Sequence, residues 1–561
     1  MPKPPLPPRL IDLGPAIQEA LALHRQGRLN EAEKIYTRVL KSVPKQFDCL
    51  HLLGMLKHQR GKTGEAYRLI TAALEIDPRS ADALTNLGLV LHALGRNDDA
   101  LASLNKALAL SPNHVEALNN KGNVLLALKR ADQSLDCYGK VLALQPRHIQ
   151  ARVNRGSAYA ELGRWNEAIA EYEAAIALHP AHADAHYGRG NALQQMGRDA
   201  DAVAAYDKAL AIMPQHIKAW NGRGVALQAL NRYRDAIESY GKALAIQKDY
   251  ADAHYNEALA LLTSGELQRG FAKYEWRWKR TGMPADRRNF GRPLWLGEYP
   301  LRGKTILLHA EQGLGDTLQF VRYAALLARA GAKVALEVQP ELKTLLSQLH
   351  GASAVIARGE PLPPFDVHCP LASLPFALKT DLTTIPADVP YLRAPQDHMA
   401  KWRDRLALLG RPLIAIAWSG RSTHANDRNR SIAWSRLEPI LSAAAGRIVS
   451  VQVGVRDQDA ARLRDDKRIA HFGDDIGDFG DTAAILAAAD LVISVDTSIA
   501  HLAGSMGRPA WILLPSAPDW RWLLDRTDSP WYPTARLFRQ PLPGDWDSVI
   551  GQVASELKNF V

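Results

Sequence analysis

Length and composition indicate several folded units and exclude a membrane-spanning chain. At 561 residues the chain exceeds what one hydrophobic core normally serves, and no apolar run approaches the ~20 residues that span a bilayer. The net charge of +10 favours anionic partners in general, while Cys49, Cys137 and Cys369 fit neither a disulfide framework nor a zinc site. We therefore expect a cytoplasmic protein without a transmembrane segment.

The chain begins with a proline-rich segment, Met1 to Arg9, which reads MPKPPLPPR. It carries charge, but no apolar stretch follows, so it does not fit a secretory signal. Prolines at this density favour an extended chain. We expect residues 1–12 to form a disordered lead.

Residues 13–284 carry a 34-residue period. The proline of each period falls at Pro44, Pro78, Pro112, Pro146, Pro180 and Pro214, and a glycine that allows close helix approach falls at Gly54, Gly88, Gly122, Gly156, Gly190 and Gly224. A small alanine and a large residue four positions later recur in six of the second helices, as in Ala202 and Tyr206. This pattern resembles tetratricopeptide repeats, and it predicts a superhelix of about eight helix-turn-helix units, the last one degenerate. In that last unit, the segment Tyr274 to Trp278 should pack the array onto the next part of the chain.

Asparagines recur in the first helices of these units, at Asn86, Asn120 and Asn154. First helices line the concave face of such arrays, and amides there can hydrogen-bond an extended peptide backbone, as the similar repeats of O-linked N-acetylglucosamine transferases do. The alternative is that these asparagines are solvated polar positions.

After residue 284 the period ends, and strand and helix patterns alternate, which predicts parallel sheets. We expect a linker at 285–303, one Rossmann-like half at 304–395 and a second at 396–561. The predicted strands are Lys304 to Glu311, Lys333 to Val338, Ala354 to Ala357, Leu413 to Trp418, Ile448 to Val453, Leu491 to Val495 and Ala510 to Leu514, with a helix from Thr317 to Ala330. Two such halves place a ligand cleft at the carboxyl ends of their strands.

Two loops carry candidate site residues. Gly313 and Gly315 begin a Gly-x-Gly turn, but Leu318 replaces the third small residue of a dinucleotide fingerprint, so a nicotinamide site is a weak alternative. At Ser494 to Gly504 a strand ends, Asp496, Thr497 and Ser498 form a turn, and a helix begins. Its free N–H groups would hold a diphosphate; singly, Asp496 is also an ordinary helix cap and His501 an ordinary packing residue.

Residues 300–561 resemble the heptosyltransferase-type glycosyltransferases, which have a GT-B fold of two Rossmann-like halves. Their Asp-Thr-Gly-x-x-His-Leu signature is matched by Asp496, Thr497, His501 and Leu502, with Ser498 in place of its glycine. Their early Gly-Asp is matched by Gly315 and Asp316. The resemblance implies an inverting transferase with the nucleotide-sugar donor in the second half and Asp316 as base.

These placements suggest a division of roles. Asp316 would take the proton of the acceptor hydroxyl, although it is equally placed to cap its own helix. Arg428 or Arg430 would steady the leaving diphosphate in place of a metal, because arginine matches phosphate oxygens with a fork. We place the remaining donor contacts at Trp418, Ser419, Gly420, Asp496, Thr497, Ser498 and His501, and the acceptor contacts at Gln312, Gly313, Gly315, Asn86, Asn120 and Asn154.

The tail segment Ser516 to Trp522 is aromatic, and we expect its indoles to close a core more than to stack on a ligand. The sequence thus predicts a glycosyltransferase with a nucleotide sugar as co-substrate and no other cofactor, metal or nucleic acid. Its acceptor would be a protein or peptide led in by the repeats. The alternatives are a non-catalytic interaction scaffold and a transferase that acts on lipopolysaccharide-type glycans.

Overall fold

The computed structural model describes residues 13–280, 288–423 and 426–560. The expected disordered lead at 1–12 lies outside these residues. So do residues 281–287, where the predicted repeat region meets the linker, and residues 424 and 425 of the arginine-bearing loop. The chain divides into two compact units, the first ending at Gly222 and the second beginning at Arg223.

Within the described residues, sixteen helices precede the first strand and follow one another as eight pairs. The first eight are α1 (Leu13–Arg25), α2 (Leu29–Ser42), α3 (Phe47–Gln59), α4 (Thr63–Ile76), α5 (Ala81–Ala93), α6 (Asn97–Leu110), α7 (Val115–Ala127) and α8 (Ala131–Leu144). The next eight are α9 (Ile149–Glu161), α10 (Trp165–Leu178), α11 (Ala183–Gln195), α12 (Asp199–Ile212), α13 (Ile217–Ala229), α14 (Tyr233–Ile246), α15 (Ala251–Thr263) and α16 (Leu267–Tyr274). The predicted eight helix-turn-helix units are confirmed, and the last is shortened.

The periodic glycines lie where a large side chain of the second helix meets the first. A Cβ at Gly190 would lie 2.7 Å from Cε1 of Tyr206, and a Cβ at Gly88 would lie 2.6 Å from Cγ of Leu104. Tyr206 and Leu104 are fully buried. The periodic glycine thus makes a packing contact with a large side chain in six of the eight units.

The turn within a pair needs a left-handed backbone residue. Glycine fills this position in most units, but Lys129 and Asn231 adopt it with φ of 61° and 60°. Polar side chains then cap the first helices: Ser80 accepts the N–H of Ala83, and the Nδ1 atoms of His114, His148, His182 and His216 accept those of Ala117, Ala151, Ala185 and Ala219. The repeat pattern thus fixes both the turn within a pair and the start of the next pair.

The first half contains a four-stranded parallel sheet in the order β3-β2-β1-β4. Its strands are β1 (Thr305–His309), β2 (Lys333–Val338), β3 (Ala352–Ala357) and β4 (Val367–Pro370), and its helices are α17 (Leu314–Phe320), α18 (Tyr323–Arg329), α19 (Pro340–Leu346) and α20 (Leu374–Ala377). β1 pairs with β2 on one side and with β4 on the other. The strand order therefore reverses between β1 and β4.

The second half contains a six-stranded parallel sheet in the order β10-β9-β8-β5-β6-β7. Its strands are β5 (Leu413–Ala417), β6 (Arg447–Ser450), β7 (Ile469–His471), β8 (Leu491–Val495), β9 (Ala510–Leu514) and β10 (Ala535–Arg539). Its helices are α21 (Gln396–Ala407), α22 (Asp427–Arg430), α23 (Glu438–Ala443), α24 (Asp457–Asp465), α25 (Phe479–Ala488), α26 (Ser498–Ser505) and α27 (Trp546–Leu557). Renumbered from β5, the order is the doubly wound 3-2-1-4-5-6, which binds ligands where it reverses, between β5 and β8.

The seven predicted strands are present, with ends that shift by up to three residues, while β4, β7 and β10 were not predicted. The predicted helix at Thr317 to Ala330 is wrong in detail, because it starts earlier and breaks into α17 and α18. Arg322, at the break, is buried, and its guanidinium donates to the backbone oxygens of Trp531 and Pro386. Docking on the second half thus overrides the helical periodicity.

The last repeat packs onto the α/β part within the second unit. Phe271 of α16 lies edge-on to Trp520 at 5.4 Å between ring centroids, and one hydrophobic core runs from Leu262 to Trp531. A 3-10 helix, Glu275–Lys279, comes directly after α16. Its Arg277 is buried and donates to Glu311 at 3.1 Å and Ser373 at 2.7 Å. The predicted packing of this segment onto the next part of the chain is therefore observed.

No helix in the described ranges is both long and apolar enough to cross a membrane.

Candidate functional site

The carboxyl ends of β5 and β8 meet at the point where the second sheet reverses its order. The loop after β5 leads to α22, whose Arg430 donates from Nη1 to the backbone oxygen of Asp496 at 2.8 Å. Asp496 directly follows β8 and is buried. Arg428, in the same short helix, is exposed. Of the two predicted arginines, Arg430 is therefore the one directed at the turn before α26.

α26 begins at this turn with a capped N-terminus. Thr497 is its N-cap, and its Oγ1 accepts the N–H of Ile499 at 3.3 Å and lies 3.2 Å from Ser494 Oγ. Thr497 and Ser498 are partly exposed. The free N–H groups and the positive end of the helix dipole are thus presented beside Arg430.

Side chains hold the loop after β5 by accepting hydrogen bonds from its backbone N–H groups. Gln452 Oε1 accepts the N–H groups of Trp418 and Ser419 at 3.2 and 3.1 Å, and Gly420 donates to Ser431 Oγ at 3.0 Å. The Trp418 side chain does not reach the site. Its indole is buried in the core, 4.9 Å from that of Trp434 between ring centroids.

Asp316 lies in the first turn of α17, which faces α26 from the first half. Its Oδ2 accepts the N–H of Gly313 at 3.0 Å, which is the half of a capping box that a glycine N-cap allows. Its Oδ1 forms an ion pair with Arg521 Nη2. The carboxylate keeps 22% of its side-chain surface exposed. The alternative of a helix cap is therefore realised, together with a charged partner from the other half.

Arg521 connects this carboxylate to the second half, and the sequence did not single it out. It lies in the 3-10 helix Trp520–Trp522, with a side chain that is 9% exposed. Its Nη1 donates to Asp519 at 2.8 Å and its Nε donates to Gln319 at 2.5 Å. Although burial alone would lower the pKa of Arg521, Asp519 and Asp316 raise it. The guanidinium therefore remains charged.

His501 is buried on α26 and packs against α17. A Cβ at Gly315 would lie 2.8 Å from its Cδ2, so only glycine fits at that point. The Nδ1 atom of His501 hydrogen-bonds the Tyr532 hydroxyl at 2.9 Å, and Trp522 stacks on the ring at 5.5 Å. Burial, helped by nearby arginines such as Arg521, holds the pKa of His501 well below its usual range. The imidazole is therefore neutral.

Two carboxyl groups of the site have raised pKa values. Burial and the charge of Asp519 raise the pKa of Asp496 to about 6, against the opposing effects of Trp522 and Arg430. Burial also raises the pKa of Asp316, although Arg521 lowers it. Raised carboxyl pKa values suit groups that accept protons near neutral pH.

The acceptor-side residues of the first half are held by the chain that follows α16. Gln312 donates to the Tyr274 hydroxyl at 2.8 Å and accepts Gln339 Nε2 at its backbone oxygen. Glu311, which lies where the first sheet reverses, is paired with Arg277. Burial raises the pKa of Glu311 to about 7. Gln312, Gly313 and Gly315 therefore lie between the carboxyl end of β1 and the first turn of α17, and the Gln312 amide is already paired.

The asparagines predicted for the repeats are partly buried and bond within the repeats. Asn86 donates to His51 at 2.7 Å, and Asn154 donates to Asn123 at 2.9 Å and to Asn119 at 3.2 Å. Asn120 is partly buried on α7. A peptide backbone would have to share or replace these bonds.

One group of potential metal ligands comes together among the described residues. Atoms of His398, Asp478 and Asp481 lie within 4.8 Å of one another. Asp481 already accepts from Lys401 and Trp402, and Asp478 caps α25. These contacts already use both carboxylates, and the expectation of a metal-free protein stays a prediction.

Family models match the middle of the repeat region. A tetratricopeptide-repeat model matches residues 79–147, a second matches 183–216 and 217–250, and a TPR-repeat model matches 156–197. Residues 79–147 and 156–250 are tetratricopeptide repeats. Arrays of such repeats present extended binding surfaces, which suggests protein partners for this chain.

One curated protein is similar to about half of the chain. The chain is 26% identical over 329 residues to the protein FlbA of Caulobacter vibrioides. The match covers 54% of this chain and 55% of FlbA. The chain therefore spans about half the length of that relative.

Solved structures with a likeness to this chain include further tetratricopeptide-repeat proteins. One from Parabacteroides merdae is 21% identical with a TM-score of 0.39, and the match covers 44% of this chain and 98% of that one. A thermophilic TPR protein of Thermus thermophilus is 26% identical with a TM-score of 0.30, covering 33% and 100%.

Proposed function

We propose that the α/β part is an inverting, metal-independent glycosyltransferase that uses a nucleotide-diphosphate sugar. The observation that carries this proposal is the pairing of two elements. The N-terminus of α26, with Arg430 beside it, lies at the reversal of a doubly wound sheet, and Asp316 faces it from a second sheet of similar order. Two such halves are what the GT-B resemblance implies.

The donor diphosphate would bind at the N-terminus of α26. Backbone N–H groups and the helix dipole favour an anion there, as at other nucleotide sites. Arg430 adds a positive charge. Its Nε has no hydrogen-bond partner among the described residues. Helix and guanidinium together would stabilise the charge that develops on the leaving group.

Transfer then needs one proton acceptor. The acceptor hydroxyl attacks the anomeric carbon, its proton passes to Asp316, and the bond from that carbon to the phosphate oxygen breaks with its electron pair leaving on the diphosphate. The raised pKa of Asp316 suits this role. His501 is neutral, so it offers a hydrogen bond without adding charge.

The repeats would supply the acceptor, a protein or peptide. Support comes from the tetratricopeptide-repeat matches and from Asn86 and Asn154, whose partly buried amides lie on first helices of the repeats. Extended peptides bind such repeats through backbone hydrogen bonds.

A second candidate is a non-catalytic scaffold. One observation favours it: both oxygens of Asp316 are engaged, by Gly313 and by Arg521. A scaffold would keep this ion pair permanently as an interlobe contact.

Turnover separates the two candidates. Full-length protein is incubated with a panel of nucleotide-diphosphate sugars, with and without peptide acceptors, and the released nucleoside diphosphate is measured. We expect Asp316→Asn to lower the rate by about 10²–10⁴-fold, the usual contribution of a general base.

The matched control is Asp475→Asn, which also removes a carboxylate paired with an arginine, Arg405 at 2.6 Å, but on the surface. It should leave the rate unchanged. Equal rates for Asp316→Asn and wild type would remove the base assignment, and no turnover of any donor would favour the scaffold.

A further inference from the structure

Each of the three guanidinium nitrogens of Arg521 donates to a side chain, and these side chains come from both halves. Its Nε donates to Gln319, its Nη1 to Asp519 and its Nη2 to Asp316. Gln319 and Asp316 belong to α17, whereas Asp519 precedes the 3-10 helix of Arg521 itself. The guanidinium also lies over the Trp520 ring, 4.4 Å from its centroid, which keeps its plane fixed.

This arrangement conflicts with a free general base. An oxygen that receives a guanidinium N–H is stabilised as the anion and is a poorer proton acceptor. The second oxygen of Asp316 receives the N–H of Gly313. In the ligand-free protein, the carboxylate proposed as the base is therefore held in an unproductive pair.

The same guanidinium is close to the proposed diphosphate position. Trp522, which directly follows Arg521, stacks on His501 of α26 at 5.5 Å, and a Cβ at Gly315, beside Asp316, would lie 2.8 Å from the same ring. Arginine binds phosphate oxygens with a planar fork, so a diphosphate competes with a carboxylate for the same N–H groups. One cation thus has two possible anionic partners.

We propose that Arg521 is a latch that the donor opens. In the free protein it holds Asp316; the donor diphosphate then takes over Nη2 and releases the carboxylate to accept the hydroxyl proton. The inference rests on the proposed function and adds an order of substrate binding, in which the donor binds before the acceptor reacts. Arg521 is accordingly a positioning residue for Asp316, and it prevents the base from acting at an empty donor site.

Carboxyl footprinting tests the latch directly. Full-length protein is labelled with a carbodiimide and an amine, with and without inorganic pyrophosphate, and Asp316 labelling is read by mass spectrometry. We expect pyrophosphate to raise Asp316 labelling by about tenfold, the factor that one charge-assisted hydrogen bond supplies. In Arg521→Gln, labelling should already be high and should not respond, whereas Arg521→Lys should restore protection.

Arg405→Gln, which removes a surface arginine from Asp475, is the matched control and should leave Asp316 labelling unchanged. The wild-type comparison needs no variant, so it stands even if Arg521→Gln fails to fold. Pyrophosphate that binds by calorimetry without raising Asp316 labelling would overturn the latch and leave the proposed function intact. Absence of binding by both pyrophosphate and nucleoside diphosphates would overturn both.

Discussion

Arg521 forms ion pairs with two carboxylates, Asp316 and Asp519. A third carboxyl group, Asp496, is close enough to be influenced by Arg521 and Asp519. Arg521, together with Arg430 near Asp496, offsets the cost of burial only in part, so the pKa values of Asp496 and Asp316 are still raised. A site with this surplus of acidic groups favours protonation. Its chemistry and its stability should therefore both depend on pH.

Asp496→Asn tests this dependence. The folded-state pKa of about 6 lies above the ordinary 3.8, so Asp496 favours folding at low pH, and that contribution is lost as the pH rises through about 6. Relative to the variant, the free energy of unfolding of the wild type should fall by about 2 kcal/mol between pH 4 and pH 7. Urea unfolding of both proteins at both pH values measures this change. A difference in unfolding free energy that is the same at pH 4 and pH 7 would contradict the raised pKa of Asp496.

Sequence reasoning found the residues of the signature but not their partners. Asp496, Thr497, His501 and Arg430 were predicted because they stand in one or two short segments beside strand ends. Arg521 was missed because its partner Asp316 lies 205 residues away and its own segment reads as aromatic. The signal was present, since Asp519 and Arg521 are charged residues inside a tryptophan-rich turn, and such residues pack inward only when paired.

At the scale of helices, six of the eight repeats carry a glycine that faces a large side chain. Gly190 leaves no room for a methyl group, because its Cβ would lie 2.7 Å from the ring of Tyr206. Gly139, on α8, has no heavy atom within 4 Å of that position. The two glycines thus have opposite roles in helices of the same array.

Gly190→Ala should destabilise the repeats by about 1–3 kcal/mol through overpacking. Gly139→Ala should stabilise them by about 0.5–1 kcal/mol, since glycine is a poor helix former. Urea unfolding followed by circular dichroism compares the two. Similar effects of both substitutions would show that close packing at Gly190 does not govern the repeat.

Elements with strong periodicity could be predicted, and elements fixed by tertiary contacts could not. The eight helix pairs follow from a 34-residue repeat, and the central strands follow from buried apolar runs. β7 has three residues and β4 has four, too few to show a pattern, and the break between α17 and α18 follows from the docking of Arg322. The capping histidines were missed, although His114, His148, His182 and His216 share the same period.

On the scale of the whole molecule, the last repeats belong with the α/β part. The second unit begins at Arg223, inside α13, and not at the predicted end of the repeats at 284. Arg277 fills the reversal point of the first sheet, so the repeat array ends as a structural part of the α/β module.

The central claim is that the N-terminus of α26 binds a diphosphate. Calorimetric titration of the full chain with a panel of nucleoside diphosphates, for wild type and Arg430→Gln, tests it most directly. We predict that at least one nucleotide binds and that Arg430→Gln weakens it by about tenfold or more, the loss of a charge-assisted contact. Absence of binding across the panel, or equal affinity in the variant, would contradict the account.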